Sequence, residues 1–250
     1  MSDEITRIQT FLRQFNRRRS PRVVDVAGGF AVLDDTYNGS HDDNKLIVWE
    51  GQDAQAVMDA ADELLAEREH RYVVVDDDEL GRRFAPAFAA AGYQHETNLV
   101  MVFRGEFPAT PPVTERVDVE TMIPVLRAEW REILPDVSDE VVDQLAQRIR
   151  RRPRGAERVE FFGLRGPDGR LGARADLYAE GGIAQIETLY TEPAMRGRGL
   201  ARTLMTSLLA ETAGNDLVFL VADDDDWPKE FYGRLGFEPL TRSHGFLRLP

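Results

Sequence analysis

An apolar strand that passes through a short arginine and glycine turn straight into an apolar-periodic helix restricts this chain more than any other segment. It reads Ile186-Glu187-Thr188-Leu189-Tyr190-Thr191-Glu192-Pro193-Ala194-Met195-Arg196-Gly197-Arg198-Gly199-Leu200-Ala201. Two glycines without Cβ let the backbone approach a ligand closely, and the N–H groups of a helix's first turn have no partners inside the helix. Those N–H groups, the positive end of the helix dipole and the flanking guanidinium groups together favour a doubly charged phosphate pair.

A nucleoside-triphosphate loop would need G-x-x-x-x-G-K-[ST], and the chain has no Gly-Lys pair; a dinucleotide fingerprint would need a third glycine where Arg202 stands. What remains, Arg196-Gly197-Arg198-Gly199-Leu200-Ala201, has the form R/Q-x-x-G-x-G/A. Downstream lies Trp227-Pro228-Lys229-Glu230-Phe231-Tyr232-Gly233-Arg234-Leu235-Gly236-Phe237, with Pro228 suited to a helix's first turn and Gly236 to its C′ position. In these two motifs and the strand between them, Leu217 to Val221, the chain from about Val113 onward resembles the GNAT acetyltransferase superfamily. The resemblance implies acetyl-CoA as acyl donor, with Arg196, Gly197, Arg198, Gly199, Leu200 and Ala201 around its diphosphate. It implies backbone contacts from Leu189 and Tyr190 to the pantetheine arm and thioester carbonyl, and Tyr232 as the acid facing the leaving thiolate. The family often has Asn seven residues before that phenol, where this chain has Asp225, so that position is left without a role.

The resemblance also implies a fold class, α+β, in which a mixed, largely antiparallel sheet is flanked by helices. The order of elements agrees. Strands are expected at Val117 to Val119, Val159 to Arg165, Arg170 to Tyr178 and Ile183 to Thr191, with Gly166-Pro167-Asp168-Gly169 as a hairpin turn. Helices are expected at Glu120 to Glu132, Ser138 to Arg151, Gly199 to Ala213 and Pro228 to Leu235, and two last strands near Phe237 and Phe246. Three prolines in Phe107-Pro108-Ala109-Thr110-Pro111-Pro112 discourage both helix and sheet pairing, which sets domains at 1–107 and 113–250 with a linker at 108–112.

The first half echoes the second in pattern. Ile5, Ile8, Leu12 and Phe15 mark a helix; Val23 to Val26 and Phe30 to Leu33 flank Gly28-Gly29; Leu46 to Trp49 is a third strand. Helix Asp53 to His70, strand Tyr72 to Val75, helix Asp78 to Ala91 and a final strand pair follow. Aligning Ala91-Gly92-Tyr93 with Leu235-Gly236-Phe237 sets Phe88 against Tyr232, and Glu50-Gly51-Gln52-Asp53, which has no arginine, against the Arg/Gly turn. The arrangement is two GNAT-like domains in tandem, the first without a coenzyme grip. The polar loop Asp34 to Asn44 is either an ordinary surface connection or a wall for the acceptor.

Composition narrows the setting. No apolar run approaches the length of a bilayer span and the start lacks a signal peptide, so a cytoplasmic protein without membrane association is expected. Zero cysteines exclude thiolate nucleophiles, and four scattered histidines offer no metal spacing. A net charge of −13 opposes nucleic acid as a partner and suits a cationic acceptor. The local exception, Arg148, Arg150, Arg151, Arg152 and Arg154, reads as cations complementing a helix C-terminus, or as contacts for an acidic partner or the coenzyme's 3′-phosphate.

The expected reaction is acetyl transfer to a primary amine of a small molecule or peptide by direct attack in a ternary complex. An amine titrating like lysine, at about 10.4, is short of its free form at pH 7 by about 3.4 units, or roughly 4.6 kcal/mol, whereas a thiol of pKa about 8.5 leaves only about 2 kcal/mol for an acid to supply. Glu187 is the candidate base because it interrupts an apolar strand just before the loop, with Gln185 and Leu189 on its face by alternation. Asp176 and Glu129 are reserves, and the run Asp223 to Asp226 is either a solvated loop or an attractor for a cation. A non-catalytic acyl-CoA-binding module and a transferase with another acyl donor remain open.

Overall fold

The structure, a computed structural model, describes residues 2–51 and 53–249; Gln52 of the expected degenerate turn lies outside them. Helix α1 (Asp3–Arg19) begins where the Ser2 hydroxyl accepts from the Ile5 amide. It has acidic residues in its first turn and Arg17, Arg18 and Arg19 in its last, matching both ends of the dipole. Strands β1 (Arg22–Val26) and β2 (Gly29–Leu33) form the expected hairpin, and β2 pairs antiparallel with β3 (Lys45–Val48). The chain crosses through α2 (Ala54–Leu64) to β4 (Arg71–Val75), parallel to β3, and continues into α3 (Asp78–Ala90) and β5 (Gln94–Phe103).

One expectation for this half changes. Helix α2 stops well short of His70, because Arg68 turns inward, its Nε donating to Asn44 Oδ1 at 2.9 Å while its guanidinium pairs with Asp35. The loop from Asp34 to Asn44 is braced from within: Tyr37, Ser40, Asp43 and Asn44 are buried, and Asn44 Nδ2 donates to the carbonyls of Tyr37 and Ser40.

Beyond the proline-rich stretch come β6 (Glu115–Val117), α4 (Val119–Ile133), α5 (Asp139–Gln147), a 3-10 segment Arg148–Arg154, β7 (Arg158–Arg165), β8 (Leu171–Glu180) and β9 (Ile183–Thr191). Then follow α6 (Leu200–Glu211), β10 (Leu217–Asp223), α7 (Pro228–Gly233) and β11 (Phe237–Arg248). Strands β6 to β9 are antiparallel neighbours, and β10 returns parallel to β9 across α6. The crossovers β3-α2-β4 and β9-α6-β10 are the clearest form of the echo between halves. Gly92 and Gly236, aligned by sequence, share a positive φ of 82° and 96°.

The compact units differ from the two halves expected on either side of residues 108–112. One comprises Met1–Met101, Val221–Arg234 and Pro239–Pro250, the other Val102–Leu220 and Leu235–Glu238. The reason lies in β11, a single 12-residue strand where two short ones were expected. It runs antiparallel to β4 from His244↔Val75 to Arg248↔Arg71, and Phe246, fully buried, stacks 4.4 Å from Phe88 in the first unit's core. β5 is likewise one strand of 10 residues, not a pair. Strand order is β1-β2-β3-β4-β11-β5 in the first unit and β10-β9-β8-β7-β6 in the second. In the second, Met122, Ile123 and Leu126 of α4 and Ile149 pack on Phe161. No helix of the described residues is long and apolar enough to cross a membrane.

His70 gives the first unit a pH dependence. Its Nε2 lies 2.8 Å from Asn44 O and its ring 4.2 Å from that of His41. Burial is the main cause that lowers its pKa to about 4; the bond to Asn44 opposes this, and His41, Arg68 and Arg71 add to it. The folded state keeps the ring neutral while the unfolded chain protonates near 6.5, so stability is complete above that pH and is lost on descent towards 4. The loss from this group is at most roughly 3 kcal/mol. The urea midpoint is expected to fall between pH 7 and pH 5, and His70→Gln to flatten that slope; equal slopes in variant and parent would remove His70 as its cause.

Candidate active site

The ladder between β8 and β9 carries an irregularity at the centre of the site. Tyr178 faces Gln185 and Asp176 faces Glu187, but Arg174 faces Tyr190, so two steps on β8 meet three on β9. The extra residue is accommodated at Thr188, whose φ of 51° is the one positive value outside glycine among the described residues. A β-branched side chain resists that conformation, at roughly 1–3 kcal/mol of strain. Arg174 Nη1 donates to Thr188 O at 3.3 Å, while Thr188 Oγ1 is buried without a hydrogen-bond partner. Gln185 and Glu187 share a face as expected, Gln185 Nε2 donating to Glu187 Oε2 at 2.5 Å. The bulge breaks the alternation before Leu189, which lines a cavity beside Tyr190.

Both reserve carboxylates are engaged. Glu129 of α4 and Arg174 of β8, 8% and 4% exposed, form a forked pair with Nη2 at 2.6 Å and Nε at 3.0 Å from Oε2, and Nη2 at 2.8 Å from Oε1. Asp176, fully buried, pairs with Arg152 and accepts from the Tyr178 hydroxyl at 2.7 Å. Burial pushes the Tyr178 phenol well above its ordinary pKa, with Asp176 and Glu187 adding to the shift, so it remains a donor at neutral pH. Glu187 stands half-buried at the end of this row, opposite Asp176 across the ladder.

Beside the bulge lies a cavity of about 200 Å³, with Glu129 and Trp130 of α4, Arg148 and Arg152 of the 3-10 segment, Arg174 and Leu189 in its wall. Three guanidiniums line it against one carboxylate, the reverse of the chain's overall sign. The basic run expected to complement a helix end is thus divided in use: Arg150 pairs with Glu120, whereas Arg148 and Arg152 turn to the cavity. Sequence reasoning missed Arg174, Trp130 and Thr188. An arginine within the apolar run of β8 was the available signal; nothing in sequence marks Thr188.

The Arg/Gly turn has the form its sequence implies. Gly197 and Gly199 have φ of 76° and 79°, and a Cβ built on either meets nothing within 4 Å, so the backbone conformation needs glycine and the space before it is open. Gly199 caps α6 with no side-chain hydrogen bond and no acidic residue follows in the first turn. Arg196 and Arg198 are exposed, their guanidiniums donating to Thr191 O at 3.1 Å and Ala194 O at 3.3 Å. Leu200 and Ala201 open the helix, half-buried. The turn before α2 is unlike it: the Asp53 carboxylate accepts from the Gln55 amide, placing an anion where α6 has none.

Tyr232 lies on the short α7 in the first unit, half-buried, its ring 5.5 Å from that of Phe231. The acidic run before it is locally employed. Asp224 holds Lys229 and Arg242, and Asp223 and Asp226 accept from the amides of Asp225 and Trp227. The hydrogen bond from Arg242 is the main cause that keeps the Asp224 carboxyl below its ordinary range.

Residues 158–239 match the family of acetyltransferase (GNAT) domains, a stretch that includes Glu187, the Arg/Gly turn and Tyr232. Solved structures share the fold over nearly the whole chain. A functionally unknown conserved protein from Staphylococcus epidermidis ATCC 12228 has a TM-score of 0.70 at 12% identity, over 92% of this chain and 94% of that one. A GCN5-related N-acetyltransferase from Kribbella flavida has 0.59 at 18%, over 98% and 95%. A tandem GNAT protein from the clavulanic acid biosynthesis pathway has 0.56 at 16%, over 98% and 96%. At these identities the likeness is one of fold. No curated protein matches the chain. Residues 158–239 thus match a GNAT domain, and the chain shares its fold, a mixed, largely antiparallel sheet flanked by helices, with solved GNAT structures, one of them a tandem GNAT protein.

The forked pair separates a structural role for Glu129 from a catalytic one. Glu129→Ala is expected to destabilise by about 3–5 kcal/mol, since it leaves a buried guanidinium without its partner. Joint replacement of Glu129 and Arg174 by Leu and Met should recover most of that in thermal unfolding. Full stability of the single variant would show that the pair does not hold this part of the fold.

Proposed function

We propose that the protein is an N-acetyltransferase that moves the acetyl group of acetyl-CoA to a primary amine by direct attack in a ternary complex. The observation that carries this reading is the uncapped N-terminus of α6, entered through two positive-φ glycines between exposed arginines, within the stretch that matches the GNAT family. Arg196, Gly197, Arg198, Gly199, Leu200 and Ala201 hold the diphosphate by amides, dipole and guanidiniums. The α2 N-terminus, already bonded to Asp53, opposes a second anion, so one coenzyme binds per chain.

Acetyl-CoA supplies the thioester carbonyl. Backbone N–H groups of Leu189 and Tyr190, the two residues after the positive-φ Thr188, polarise that carbonyl and hold the pantetheine arm. Glu187, kept in place by Gln185, takes the proton of the amine directly or through water. Tyr232 returns a proton to the sulfur as the bond to carbon breaks. Deprotonation of the amine is the larger demand, so Glu187 bears more of the rate at neutral pH than Tyr232 does.

Glu187→Gln should slow turnover most near pH 7 and recover as the pH rises and free amine appears; a loss independent of pH would mean a structural role. Tyr232→Phe should lower kcat roughly tenfold or more with coenzyme affinity nearly unchanged. An unaltered kcat would withdraw the acid assignment. Arg196→Ala and Arg198→Ala should weaken acetyl-CoA binding in titration calorimetry. Tight coenzyme binding without thiol release across amino acids, polyamines, aminoglycosides and peptide amines would instead identify an acyl-CoA-binding module.

A further inference from the structure

Thr188 occupies a conformation that threonine resists, and its own hydroxyl makes no bond that keeps it there. Its φ is 51°, and its buried Oγ1 has no hydrogen-bond partner. The donor that meets it lies on the carbonyl side, Arg174 Nη1 at 3.3 Å from Thr188 O. That guanidinium is fixed in turn by Glu129, whose oxygens accept from Nε and Nη2 and leave Nη1 to the bulge. Arg174 is 4% exposed, so little solvent competes for these bonds.

The consequence falls on Leu189. Between the register pairs Asp176↔Glu187 and Arg174↔Tyr190, β8 has one residue, Ala175, and β9 has two, Thr188 and Leu189. The peptide that joins those two is trans and planar, so its carbonyl and its N–H point in opposite directions. A carbonyl held by Arg174 therefore turns the Leu189 N–H away from the fork. Arg174 also meets the far side of the bulge, its guanidinium carbon 5.6 Å from the centre of the Tyr190 ring. It contacts the residues before and after Leu189, and a Thr188 that relaxed to negative φ would rotate the peptide and re-aim its amide.

We propose that Arg174 is a positioning residue for acetyl transfer: by holding the Thr188 carbonyl it aims the Leu189 amide at the thioester oxygen. This rests on the N-acetyltransferase reading and adds to it the residue that sets the geometry of the carbonyl contact. As the free amine adds to the acetyl carbon, the C=O electron pair moves onto oxygen, where the amide stabilises it. The pair returns as sulfur leaves with the electrons of the C–S bond, and the proton lost by nitrogen is balanced by the one sulfur gains. Arg174 acts through one peptide plane and not on the reacting atoms.

The test separates aim from stability. Arg174→Met combined with Glu129→Leu removes the grip without leaving a buried charge unpaired; Arg174→Lys keeps a charge for Glu129 but loses the planar fork that frees a second nitrogen for Thr188 O. Both are expected to lower kcat about 10- to 100-fold, with the acetyl-CoA dissociation constant changed less than about threefold. The infrared stretch of the isotope-labelled acetyl carbonyl in bound acetyl-CoA, lowered in the parent relative to solution, should return towards its solution value in both variants. Adding Thr188→Gly to the double variant should restore part of kcat and of the carbonyl shift, because glycine occupies positive φ without being held there. A carbonyl band in the parent that is not lowered, a band or kcat unchanged in a folded variant, or no recovery with Thr188→Gly would overturn the proposal. Turnover by the parent would then leave the acetyltransferase reading intact. Should the parent bind acetyl-CoA with a lowered band that depends on Arg174 yet acetylate no amine, the aim of the amide stands and the enzymatic reading falls. Absence of acetyl-CoA binding overturns both. Arg174→Lys, which keeps both buried charges paired, carries the comparison if the double variant fails to fold.

Discussion

The fork between Arg174 and Glu129 ties together most of what makes the second unit a site. It fastens α4 to β8, and through the bond from Arg174 to Thr188 O it reaches the bulged turn of β9. A threonine held at positive φ persists only where its surroundings over-determine it, and here a buried guanidinium donates directly to its carbonyl. Were the bulge to relax, the register beyond Asp176↔Glu187 would slip, and every side chain from Leu189 onward would exchange faces. The cavity wall and the approach to the Arg/Gly turn both lie on that stretch. Buried ion pairs contribute little net stability compared with apolar substitutes. The fork is better understood as fixing geometry: it selects one register of β9 against the regular ladder.

The two crossover helices show how a single local change separates an open helix end from an occupied one. α2 and α6 join parallel neighbouring strands by the same connection. Backbone dipoles are alike in both, so the difference lies in what meets the first amides. Asp53 brings its own carboxylate to α2, whereas Gly199 brings nothing to α6 and leaves donors directed at solvent between two guanidiniums. A covalently attached anion at the helix end is always present at high local concentration, and it would repel a diphosphate besides competing for the amides.

The sequence was informative where a signal is local. Periodicity, capping residues and glycines placed the starts of the crossover helices, the hairpins and the Arg/Gly turn close to where they stand. It was uninformative where the deciding contact spans the chain. Phe246 looked like the end of a second domain, yet it stacks on Phe88, about 160 residues earlier; nothing in a strand's own composition names the strand it pairs with. Arg174 and Glu129 meet across 45 residues. Thr188 shows the same limit in backbone form, since threonine is a favourable strand residue and the conformation is imposed from outside. Alternation was right for Gln185 and Glu187 and failed at Leu189, one residue past the bulge.

Net charge and the sign of a cavity are set over different ranges. A total of −13 describes the far field, which governs encounter with large polyanions and falls off over roughly 10 Å at ordinary ionic strength. Inside a partly enclosed cavity the sign is set by whichever few groups line it, and screening by solvent is weaker there. Those groups are arginines because the 3-10 segment that follows α5 turns Arg148 and Arg152 inward, while Arg150 faces outward to Glu120. A run of arginines that is monotonous in sequence is therefore divided by helix geometry, Arg150 pairing with Glu120 while Arg148 and Arg152 line the cavity. The acidic run from Asp223 to Asp226 is divided in the same way, among caps and ion pairs, so neither run acts as a simple patch of its formal charge. The charge a cavity presents follows from which side chains the backbone delivers to it, and in this unit the 3-10 segment and β8 deliver three arginines.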